Sequence, residues 1–120
     1  MSSSNRPSLL FILASDPRAT ARPAEAIRVA AGLGAWKKTD ITVYLRGPAI
    51  LALGEWVDEL RDEDNYTRYL PLLAEGGQPI YAQAGAGELA ELGEPKQPFV
   101  PINDEQLAEL AARATSVLRF

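Results

Sequence analysis

The sequence predicts a three-layer α/β domain: a mostly parallel sheet of about five strands with helices on both faces. Three observations predict it. Short apolar or β-branched runs alternate along the chain with longer segments of helical period. The first run, Leu9-Leu10-Phe11-Ile12-Leu13-Ala14, is apolar at every position, as a strand is when both faces of its sheet are covered. The chain has 120 residues, 47% hydrophobic and 23% charged, which suits one globular core that needs no covalent staple.

Residues 1–7, Met1 to Pro7, are polar and read as a disordered tail ahead of a single domain over residues 8–120. The strand Leu9–Ala14 ends at Ser15-Asp16-Pro17, and Pro23 stands where a first helical residue would. From Ala24 to Lys38 the pattern is helical. Ile27, Ala30, Ala31 and Gly34 make one stripe, and Ala26, Val29, Leu33 and Trp36 a second, so the apolar face is wide and built of small residues. Lys37 and Lys38 complement the negative end of its dipole.

Ile41-Thr42-Val43-Tyr44-Leu45 alternates with period two and predicts a second strand, broken by Gly47-Pro48. Ala49–Leu53 reads as a short helical turn, and Tyr66–Glu75 as a helix stopped by Gly76-Gly77. Gln78–Ala84 reads as a third strand, with a turn at Gly85-Ala86-Gly87 and a brief helix over Glu88–Leu92. Phe99-Val100 is a short strand that Pro101 is expected to end. The last helix has the clearest start, because Asn103 and Gln106 form a capping box. Leu107, Leu110, Ala111, Ala114 and Leu118 mark its buried side, although Ser116–Phe120 also reads as a final strand.

Composition removes whole classes of chemistry. There is no cysteine and no histidine, which excludes thiol nucleophiles, disulfide exchange, Cys/His zinc sites and imidazole-based triads. The net charge of −4 and pI near 4.8 argue against nucleic acid as a partner. The apolar run Leu9–Ala14 is too short for a signal peptide or a membrane span, so no membrane partner and a cytoplasmic location are expected. No cofactor is expected.

Ligands of open α/β sheets bind beyond the carboxyl ends of the strands. Three loops leave those ends here: Ser15–Arg22, Arg46–Pro48 and Gln83–Gly87. Ser15, Arg18, Arg22, Arg46, Gln83 and Gly85 are therefore the candidate anion pocket, in which guanidinium forks meet the amino end of the first helix. The plainer reading pairs those arginines with Asp16, Glu25 or the acids of residues 55–64. Tyr44 and Tyr81 lie on strands from which a hydroxyl can reach such a site, while the remaining aromatic residues fit a core or an interface. Gly85-Ala86-Gly87-Glu88-Leu89-Ala90 matches a dinucleotide-loop pattern, but Gly93 and Pro95 interrupt any long helix behind it, so it reads as a tight turn. Glu55, Asp58, Glu59 and Asp62 recur at helical spacing and read as one solvated helix face, opposite Trp56, Val57 and Leu60, rather than a metal site.

The opening unit, Leu9–Ala14 with Ser15-Asp16-Pro17-Arg18 and Arg22-Pro23-Ala24-Glu25-Ala26, resembles the DsrE/DsrF-like family, the TusD/TusC type of small sulfur-relay α/β proteins. Ile41–Gly47 and the closing Asp104–Phe120 continue the likeness. The resemblance implies a three-layer fold, trimers or hexamers of stacked trimers, and in active members a persulfide-carrying cysteine on the loop after a middle strand. Here that stretch is Ala82-Gln83-Ala84-Gly85-Ala86-Gly87 and holds no cysteine. A persulfide needs a thiolate, so the resemblance implies a non-catalytic accessory or regulatory member, a homo-oligomer, with a cysteine-bearing DsrE-like chain as its partner. Two alternatives stand beside it: a stand-alone binder of small anions or other small ligands at the strand-end crevice, and an enzyme using carboxylates or a bound metal.

Overall fold

The computed structural model describes residues 7–35, 39–54, 60–75, 79–95 and 97–120. The expectations for most of the tail, for Trp36, Lys37 and Lys38, for residues 55–59 and for Gly76-Gly77 lie outside the described residues. The chain runs β1 (Ser8–Leu13), α1 (Arg22–Ala35), β2 (Asp40–Leu45), a first 3₁₀ segment (Gly47–Leu53), α2 (Glu63–Glu75) and β3 (Ile80–Gln83). A second 3₁₀ segment (Gly87–Glu91), β4 (Val100–Ile102), α3 (Asp104–Arg113) and β5 (Ser116–Arg119) complete it.

All four strand pairings are parallel, in the order β4-β3-β2-β1-β5. Three crossovers step outward from β1 in one direction. Because such crossovers are right-handed, α1 and α2 fall on the same face. The chain then returns from β4 to the far side of β1, and α3 covers the opposite face on the way. Side chains confirm the two layers. Phe11, Leu13, Val43, Leu45, Ile80 and Ala82 join α1, α2 and the first 3₁₀ segment in the larger core. Leu10, Ile12, Tyr44 and Ile102 form a smaller core beneath α3. The apolar run Leu9–Leu13 of β1 thus lies inside the sheet, between β2 and β5, and is covered from both sides, as its sequence requires.

On α1 the residues Ala24, Ala26, Ile27, Ala30 and Ala31 are buried, their small side chains allowing close approach to the sheet and to α2. The expected second stripe is only partly buried: Val29 and Leu33 stay 36% and 38% exposed. Tyr66 and Leu70 are the buried anchors of α2. Gly54 closes the first 3₁₀ segment where it meets the second. A Cβ there would lie 2.9 Å from the Leu92 carbonyl oxygen, so only glycine allows the approach.

Three details differ from expectation. Asp62 does not extend an acidic helix face. It sits in a turn before α2 with φ 53°, a conformation aspartate tolerates, and the neighbouring Arg61 N–H donates to the Pro17 carbonyl at 2.9 Å. Pro101 does not end β4 but stands in its middle. The Ile102 carbonyl accepts from the Ala84 N–H, so the alternate residue Pro101 faces away from β3, where its missing N–H breaks no ladder bond. Finally, α3 stops at Arg113 and Leu118 belongs to β5, with the Thr115 N–H bonded to the Ser8 carbonyl at 2.7 Å as the strand enters the sheet.

The start of α3 matches its sequence signal. The Asn103 side chain accepts from the Gln106 N–H and the Gln106 side chain accepts from the Asn103 N–H, each at 2.9 Å. The helix nevertheless has no fully buried residue. One ten-residue helix covers a five-stranded face, which leaves Tyr81 and Val117 half-buried and Val100 45% exposed.

Candidate functional site

The carboxyl ends of the strands are tied into one rim. The Arg46 N–H donates to the Leu13 carbonyl at 2.9 Å, and the Gly47 N–H to the Gln83 side-chain oxygen at 3.0 Å. The Ala14 N–H donates to the Phe120 carbonyl at 2.9 Å, and the Ser15 N–H to the same oxygen at 3.3 Å. Gly47 and Gly85 turn the chain out of β2 and β3 at φ 53° and 79°, where glycine is the undistorted choice.

The candidate pocket residues fall into separate places on this rim. Arg18 is committed within its own loop. Its Nε and Nη2 grip the two Asp16 carboxylate oxygens at 3.0 and 3.2 Å, and Asp16 also accepts from the Arg18 N–H. That hydrogen-bonded guanidinium holds the Asp16 carboxyl below the usual carboxylate range. Glu91 and Glu88 add to the field around Arg18. Arg22 is exposed at the start of α1, its N–H 3.3 Å from the Thr20 hydroxyl. Gln83 is engaged with Gly47, Ser15 is bound through its backbone to Phe120, and Gly85 forms the turn after β3.

Arg46 lies elsewhere, on the α3 side. It lines a groove of about 500 Å³ with Arg119 and Asp104, against an apolar wall that includes Ile12, Leu107 and Ala111. Neither Arg18 nor Arg22 lines this groove. Arg119 and Asp104 were not anticipated. The signal for Arg119 lay in the closing run: read as a strand beside β1, it places Arg119 opposite Ile12 at the carboxyl end. Tyr44, next to Ile12 in the sheet register, is wholly buried, and its hydroxyl has no hydrogen-bond partner. Burial pushes the phenol's pKa up, the Arg46 charge opposes that shift, and Asp104 adds to it.

A second groove, of about 480 Å³, lies between α1 and the start of α2. Glu25, Asp62, Glu63 and Asp64 line it, with Arg28 already paired to Glu25 at 2.7 Å. Among the described residues no group of three or more acidic side chains is placed to hold a metal ion. The dinucleotide-like glycines lead only into a five-residue 3₁₀ segment, without the long helix a pyrophosphate site uses. Tyr66 is core, while Tyr69 and Tyr81 are half-buried beside it and beside α3. No helix among the described residues is long and apolar enough to cross a membrane.

A five-stranded, all-parallel sheet in the order 4-3-2-1-5, layered between helices and rimmed by strand-end loops, defines a small open α/β protein. No protein-family profile matches the chain, and no curated protein matches it. Among solved structures, the crystal structure of ychN protein from E. coli is similar, with a TM-score of 0.73 over 95% of this chain and 99% of that one, at 17% sequence identity. That likeness shows a shared fold.

Proposed function

We propose that the chain is a non-catalytic protein of DsrE-like fold, an accessory or regulatory subunit of a cytoplasmic sulfur-relay type system. It acts through contacts with its own copies, as a trimer or hexamer, and with a cysteine-bearing chain of the same fold. The observation that carries this reading is the lack of any thiol in all 120 residues. The loop after β3, where the resemblance places a persulfide cysteine, is Ala84-Gly85-Ala86. Sulfur transfer through a persulfide needs a thiolate nucleophile, and no other side chain replaces it. The sparse cover on the α3 face supports a contact role, since half-buried Tyr81 and Val117 and exposed Val100 leave apolar surface there.

Native mass spectrometry of tagged protein drawn gently from its host's extract tests the reading. A mixed complex that contains a small cysteine-bearing α/β chain is the expected result. A monomer, or a homo-oligomer with no such chain at any salt concentration, refutes it.

A further inference from the structure

We infer that the groove between α3 and the carboxyl ends of β1, β2 and β5 binds a small amphipathic carboxylate. The charged head lies between Arg46 and Arg119, and the apolar body runs along Ile12, Leu107 and Ala111. This site is independent of the accessory role proposed above, and it is tested without any partner chain.

Two observations carry it. The first is the state of the two guanidinium groups. Arg18 and Arg28 are both held by carboxylates, whereas Arg46 and Arg119 share one concavity and, among the described residues, neither is in an ion pair. Two arginines lining one groove suit a planar carboxylate, which a guanidinium fork can bind through parallel N–H donors. With Asp104 on the same groove, the local balance is one positive charge, so a monoanion neutralises it.

The second observation is the wall. Ile12, Leu107 and Ala111 are apolar, and the volume of about 500 Å³ lies within the range of small-molecule sites. An inorganic anion would leave that wall in water, whereas an apolar body covers it.

The test is a fluorescence titration of the full chain with 8-anilinonaphthalene-1-sulfonate, followed by displacement with decanoate. Acetate supplies the charge without the tail, and 1-decanol the tail without the charge. Decanoate is expected to displace the dye saturably, at concentrations at least tenfold below those needed for either control. Arg46→Gln and Arg119→Gln should each weaken decanoate binding fivefold or more, while Arg18→Gln leaves it unchanged. Ala108→Phe, on the exposed flank of α3 that borders the groove, should block binding with both arginines intact. Thermal melts establish that each variant is folded, and if one arginine variant fails to fold, the other and Ala108→Phe still decide. Absence of saturable displacement overturns the inference. So does decanol matching decanoate, or decanoate binding that survives Arg46→Gln and Ala108→Phe unchanged.

Discussion

Replacing Tyr66 by phenylalanine should stabilise the protein, and the alkaline limb of its stability curve should show why. Tyr66 is 1% exposed in the larger core, and its hydroxyl has no hydrogen-bond partner. A buried hydroxyl left unsatisfied costs about 1–3 kcal/mol, and removing it vacates little volume. A gain of about 1 kcal/mol is expected, which raises Tm by about 4 °C for a chain of this length. Burial, with a smaller push from Asp62, also raises the phenol's pKa far above its ordinary value of 10.0. The folded state therefore keeps a proton that the unfolded chain releases. Its contribution is fully present below about pH 10 and is lost as the pH rises beyond that. Tyr44 acts in the same direction. The wild-type stability should thus fall steeply above pH 10, and Tyr66→Phe should reduce that slope by about one proton, or about 1.4 kcal/mol per pH unit. Urea unfolding followed by circular dichroism from pH 9.5 to 11.5, with a thermal melt at pH 7, measures both effects. A fall in Tm of several degrees at pH 7, with an unchanged alkaline slope, would refute the reasoning, because it would mean that the hydroxyl is satisfied and useful.

Other substitutions probe different layers. Asn103→Ala removes one half of the capping box and should cost about 0.5–2 kcal/mol in urea unfolding, without loss of the remaining secondary structure. Gly54→Ala sets a methyl group 2.9 Å from the Leu92 carbonyl oxygen and should destabilise by about 1–3 kcal/mol; a neutral result would show that the two 3₁₀ segments separate freely. Leu13→Ala, at a fully buried position of β1, should cost about 2.7–5 kcal/mol, and a loss below about 1 kcal/mol would contradict its place in the core. With neither histidine nor cysteine in the chain, thermal stability should be nearly flat between about pH 6 and pH 9, so a marked transition there would require another titrating group.

The fold was legible where local signals agreed. The all-apolar β1, the alternating β2 and the Asn103–Gln106 box each specify one conformation, and each is found where its residues place it. Reading failed where the deciding contact is distant. Pro101 ends a strand in isolation, yet an edge position with the imide nitrogen turned outward admits it. Asp62 continues an acidic helical period on paper, but a left-handed turn precedes α2. The strand-end arginines show the same limit. Arg18 and Arg46 follow equivalent strand ends, and nothing in the spacing says that one folds back onto Asp16 while the other lies under the incoming α3. Arg119, which lines the same groove as Arg46, is 73 residues away in sequence and comes there because β5 inserts beside β1.

The two borders of the sheet have a consequence for assembly. An open strand edge is a template on which another chain can polymerise, and proteins suppress this with proline or charge. At one border, Pro101 occupies the outward-facing position of the three-residue β4 and withholds its only central donor. At the other, the Phe120 N–H and carbonyl bond inward to β1, so the outward register of β5 falls on Val117 and Arg119, and the arginine brings a charge to it. Lateral growth into a continuous ribbon is therefore obstructed at both ends.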